Sequence, residues 1–225
     1  MPGGVGGEGL RGPSLSRLKH MKILANTRNL LAIVDKEIDG IEFDASDRNK
    51  VSGALFDVAH DHAKAIVVLL ENQIYASVYA LARPLFESFV RAAWIQHCAS
   101  DEDIAHVIEK DEFKLNFGEM LDAVEKKREW EETLTKVKKS VWNSMHSYTH
   151  GGFQLISRRF KDGFIEHNFN EEEIVGLLQL VALISFLSLA EVAGMSSGNK
   201  KDKVLNELFE NLSHWCFNNQ INRPR

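Results

Sequence analysis

The sequence predicts an all-α protein, an antiparallel helical bundle preceded by a disordered Gly-rich tail. Three observations predict it. First, helix breakers are scarce in the interior. Six of the 15 glycines fall in the first 12 residues, and Pro84 is the one proline between Ser14 and Arg223. A β-sandwich or barrel needs a turn about every 8–12 residues, drawn largely from Gly, Pro and Asn, and this interior does not supply them. Second, apolar residues recur at spacings of three and four along several long stretches. Third, capping residues stand at the starts of many of those stretches. Hydrophobic residues make up 44% of the 225, which excludes a wholly disordered chain.

Residues 1–17 read as the tail, and 18–220 as one domain; Met21 offers a second possible start. A first helix is expected over 18–39. Asp44 and Ser46 then offer N-caps for a helix reaching residue 71, with Val51, Leu55, Val58, Ala65, Ile66 and Leu69 as its apolar stripe. The third helix, 73–99, carries Ile74, Val78, Leu81, Leu85, Phe86, Phe89 and Ala93 inward, and Pro84 should kink or divide it. Ser100 and Asp101 cap a short helix ending at 110, and another is expected over 112–124. The next, 129–150, turns Leu134, Val137, Val141, Trp142 and Met145 inward and stops at Gly151 and Gly152. Residues 152–163 suit a short helix or an extended loop. Asn170 before three glutamates opens a very apolar helix to residue 193. A linker at 194–199 and an amphipathic helix over 200–217 complete the chain.

Composition narrows the function classes. A net charge of −5 and a pI near 6.0 give no overall basic signature for nucleic acid. The start has no apolar signal-peptide core, and Cys98 and Cys216 lie far apart with no CxxC, which suits a reducing cytoplasm. The uncharged run 174–190 would span about 26 Å as a helix, short of a bilayer core of roughly 30 Å. It reads as a buried central helix, not as a stable membrane insertion. No Walker A, dinucleotide fingerprint or GxSxG is present, so no cofactor is expected.

Three clusters carry chemistry. Arg83, Glu87 and Arg91 are spaced i, i+4, i+8 and share one helical stripe, on which either arginine can pair with Glu87. The stripe is either a solvated face or one wall of a partly covered cleft, where arginine suits bidentate anion contacts. His146 and His150, also four apart, could share a metal, with His62 as a third ligand. His150 also suits the negative end of its helix. Asp57, His60, Asp61 and Lys64 read as a solvated face, as do Lys136, Lys138 and Lys139. Arg158, Arg159 and Lys161 form a small basic group able to hold a phosphate.

The segments ALARPLFESFVRAAWIQHCA (80–99) and WNSMHSYTHGGFQLISRR (142–159) resemble a family of uncharacterised bacterial helical proteins. Its members carry an R-x-L-x-E-x-x-x-R-like helix and a later His-Gly-Gly element. It is catalogued as a domain of unknown function and is distantly similar to HEPN helical bundles. The resemblance implies that Arg83, Glu87, Arg91, His150, Gly151 and Gly152 belong to one polar site. HEPN ribonucleases pair an Arg with a nearby His, often across a homodimer interface, and Arg91 and His97 have that spacing. Three expectations follow. The first is a binding or regulatory module holding an anionic, phosphate-bearing ligand with Arg83, Glu87, Arg91, His146, His150 and Arg158. The second is a metal-independent ribonuclease acting on RNA through His150, Arg91 and His97. The third is a metal site at His62, His146 and His150.

Overall fold

The computed structural model describes residues 15–196 and 202–216. Most of the expected tail and linker lie outside the described residues, as does the side chain of Val141. The first helix, α1 (Leu15–Ile38), already includes the last three residues assigned to the tail. It is followed by α2 (Asp47–Glu71), α3 (Tyr75–His97), α4 (Asp101–Lys110), α5 (Phe117–Arg128), α6 (Thr133–Thr149), α7 (Phe153–Ser157), α8 (Glu171–Met195) and α9 (Asp202–Trp215). Between α7 and α8 the chain makes a minimal hairpin, β1 (Phe160–Lys161) paired antiparallel with β2 (Phe164–Ile165). Residues 152–163 thus hold both a short helix and extended chain. The fold is all-α, as expected.

The caps set most boundaries. Ser46 accepts the Asn49 N–H at the start of α2. Capping boxes open α4 at Ser100/Asp103, α5 at Asn116/Glu119 and α8 at Asn170/Glu173. The Asn116 box explains why α5 starts five residues later than periodicity suggested.

The centre of the bundle is α3. It is packed by α2, α5, α6 and α8, and Val78, Leu85, Phe86, Phe89, Ala92, Ala93 and Ile95 are fully buried. Ile74, expected inward, is exposed just before its first turn. Helix α8 lies beside α1, α2 and α3, with Leu178, Val181, Ile184 and Leu189 buried. By length and composition it could cross a membrane, yet 61% of its most apolar window is covered by the rest of the fold.

The buried face of α2 is rotated from the expected stripe. Phe56, Ala59, Ala63, Ile66, Val67 and Leu70 are buried, whereas Val58 is 41% exposed. The reason is that α2 is covered from two directions, by α3 and by α1 with α8. His60 is therefore no solvated residue. It is 2% exposed, and its Nε2–H donates to Asp35 Oδ1 of α1 at 2.9 Å, while Lys64 Nζ reaches the same oxygen at 3.3 Å. Asp57 and Asp61 do face solvent.

Burial raises the Asp35 carboxyl, but hydrogen bonds and charge from His60 and Lys64 outweigh it and hold the group below its ordinary 3.8. Replacing Asp35 with Ala strands the buried His60 N–H, which should cost about 1–3 kcal/mol in urea unfolding near neutral pH. A depressed folded-state value makes this contribution complete above the unfolded value. It is lost as pH falls through the lower, folded value, so the gap between wild type and Asp35→Ala should close in acid.

Candidate functional site

Helices α3 and α6 run antiparallel, with Thr149 beside Ala80 and His146 beside Arg83. Pro84 has no N–H, so the carbonyl four residues before it, on Ala80, loses its helical partner. The helix nevertheless continues through the proline as one element. The Thr149 hydroxyl, bonded mainly to Met145 O at 2.8 Å, also reaches Ala80 O at 3.4 Å. A partner helix thus meets the gap that would otherwise favour a break.

One residue before the proline stands Arg83. Its Nε donates to Glu87 Oε1 at 2.6 Å and its NH1 to His146 Nδ1 at 2.7 Å. Its guanidinium lies over the Trp142 ring, 4.6 Å from the centroid. Arg91 NH2 meets the other Glu87 oxygen at 3.2 Å, and its guanidinium lies over Phe113. The side chains of Arg83 and Glu87 are 21% and 15% exposed, so the stripe is partly covered and not a fully solvated face. Arginine has no acceptor, so His146 Nδ1 must accept and the ring proton sits on Nε2. The His150 ring lies 4.6 Å from that of His146, at the exposed rim.

Trp142 links this cluster to a cavity of about 370 Å³ lined by Asp122, Thr135, Lys138, Lys139 and Trp142. Phe117 stacks on Trp142 at 4.6 Å, and the Lys138 ammonium sits within 6 Å of both rings. Lys138 is therefore half-buried within the site, contrary to the solvated face expected for it. Four cations (Arg83, Arg91, Lys138, Lys139) stand against three carboxylates: Glu87, Asp122, and Glu125, which accepts both the N–H and the hydroxyl of the cavity-lining Thr135. The i, i+4 series Lys138, Trp142, His146 and His150 was visible in the sequence, but its first two members read as generic surface and core.

The double glycine ends α6 for two separate reasons. Gly151 has φ +69°, a backbone that L side chains rarely adopt. At Gly152 a Cβ would come within 2.5 Å of Ser147 Oγ, and its N–H donates to Ser147 O at 2.7 Å. That bond closes the helix end in Schellman fashion and leaves His150 exposed beside His146.

Other expected residues lie elsewhere. Arg158 pairs with Glu173 of α8. His97 Nε2 bonds Glu191 Oε2 at 2.5 Å, and Arg128 approaches the other Glu191 oxygen at 3.2 Å. Six helical residues turn His97 about 120° away from Arg91, so the two have different partners. His62 stands on α2, where burial lowers its basicity. No cluster of three or more metal-ligating side chains occurs among the described residues, so the His62, His146 and His150 set is not assembled. The two cysteines are unpaired thiols, and burial raises both, Cys216 to about 12, which leaves them poor nucleophiles.

A family model described as a family of unknown function, DUF6988, matches residues 56–216, well over half of the chain and all of α3 and α6. No curated protein and no solved structure matches the chain.

The Pro84–Thr149 relation predicts a coupling. Thr149→Val should cost about 0.5–1.5 kcal/mol when Pro84 is present. In a Pro84→Ala background, where Ala80 O regains an N–H, the same change should cost less. Chemical denaturation of the two single variants and the double variant gives the coupling energy directly.

Proposed function

We propose that the chain, which belongs to the DUF6988 family of unknown function, is a non-catalytic binding or regulatory module for a phosphate-bearing anion. The observation that carries this reading is the surplus of positive charge around Trp142. Two guanidiniums share the single carboxylate of Glu87, and two lysines line the adjoining cavity with Asp122, Glu125 being engaged by Thr135 behind it, which leaves one positive charge in excess. An anion placed there would offset charge that the protein itself leaves unbalanced.

Preorganisation favours the same reading. Glu87, His146 and Trp142 hold the Arg83 guanidinium on three sides. Little rotamer freedom remains for it to lose when an anion arrives, and its planar fork suits phosphate oxygens. His146 adds an Nε2–H donor, and His150 a ring at the rim. Arg158 is spent on Glu173 and has no part in this reading. The ribonuclease alternative asks Arg91 and His97 to act on one phosphate. Their separate partners, Glu87 of α3 for one and Glu191 of α8 for the other, make it the weaker of the two.

Calorimetric titration with inorganic phosphate, AMP and ATP tests the proposal. At least one should bind saturably and more weakly as salt rises. Arg83→Ala should lose about tenfold or more in affinity, the scale of a charge-assisted hydrogen bond, whereas His97→Ala should bind normally. Equal binding by wild type and Arg83→Ala would overturn it. So would turnover of a phosphoester or RNA that disappears in Arg83→Ala.

A further inference from the structure

A second cavity, of about 440 Å³, lies on the side of α6 roughly opposite the anion cleft. Helices α6 and α8 form its walls, and α3 forms its floor through Tyr79 and Ala82. Exposed Ser140 and Gly176 line it from the two walls, so it opens to solvent between them. The volume falls within the range of small-molecule sites, about 300–1,000 Å³. A docked helix, about 10 Å across with a 5.4 Å pitch, fills roughly 400 Å³ per turn. The cavity therefore suits a small molecule better than a partner helix.

The lining is apolar and carries no unbalanced charge. Met145, Leu177, Leu180 and Leu183 supply most of its body, with the neutral Ser140 and Ser144 along one wall. Its one carboxylate, Glu173, already holds Arg158 and accepts the Asn170 N–H at 3.0 Å. An anionic head would meet that carboxylate, and a cationic one would compete with Arg158. The Tyr79 hydroxyl is buried with no hydrogen-bond partner among the described residues, and burial holds its phenol protonated. Gly176 stands at the opening of the cavity. It sits inside α8, where glycine is the poorest residue after proline, yet a Cβ there would meet nothing within 4 Å. Helix packing does not require the glycine, as it does not require Gly194 of the same helix, and the space at Gly176 adjoins the cavity it lines.

We propose that this cavity is a binding site for a small, uncharged, largely apolar molecule, distinct from the anion cleft. The probe is N-phenyl-1-naphthylamine, a neutral apolar fluorophore, titrated into the full chain. Saturable one-to-one enhancement is expected, with methyl NMR shifts at Met145, Leu177, Leu180 and Leu183. Gly176→Phe and Ser144→Phe, which fill the space from opposite walls, should each weaken binding about tenfold or more. Gly176→Ala, Arg83→Ala and Phe164→Ser should leave it within about twofold. Retention of binding in the anion-site variant separates this proposal from the preceding one. Three results overturn it: no saturable binding, undiminished binding in a folded Phe variant, or wild-type methyl shifts centred on Ile156 and Ile165 of the exposed hairpin region. Because the NMR map uses wild-type protein, it decides the matter even where a Phe variant does not fold.

Discussion

The structure depends on the enclosure of α3. A helix covered by four others must bury nearly its whole circumference, and this one does so with Val78, Leu85, Phe86, Phe89 and Ile95. Yet it also carries Arg83, Glu87 and Arg91 along one stripe. Charges brought that close to a core need partners, because desolvation penalises an isolated ion heavily. The fold answers with Glu87 between the arginines, and with rings laid against the guanidiniums. Aromatic faces keep water off the apolar part of the stripe while tolerating the charge. The polar cluster is thus a by-product of enclosing a helix that is not wholly apolar.

Much of this was legible in the sequence, for reasons that can be named. The scarcity of breakers and the capping signals at Ser46, Ser100 and Asn170 are local, and local chemistry placed those helices well. The Arg83–Glu87–Arg91 stripe and the His146–His150 pair were visible because helical spacing alone aligns them. What spacing does not contain is which face meets which neighbour. His60 read as solvated because the partner that buries it, Asp35, lies on a different helix. Lys138 read as surface because the Phe117 and Trp142 rings beneath it come together only in the bundle. Arg91 and His97 satisfied a motif spacing that the helix then turned toward different neighbours.

The two cavities share a wall. The Lys138, Trp142 and His146 side of α6 faces one, and the Ser140, Ser144 and Tyr148 side faces the other. Any rotation or tilt of α6 changes both at once. A helix closed at its end by a left-handed glycine and a close backbone contact is held there, and both ligand classes would act on the same element.

The proline in α3 has a consequence for alignment. A helix that completes all its own hydrogen bonds presents its neighbours with shape alone, and shape repeats with each turn. Removing one N–H makes a single carbonyl chemically distinct from every other along the rod. Because Thr149 reaches that carbonyl and Arg83 meets His146 one turn away, sliding α6 by one turn, about 5.4 Å, would abandon both matched positions. Pro84 therefore acts as an index mark: together with the Arg83–His146 bond it distinguishes one position of the second helix along α3 from those a turn away.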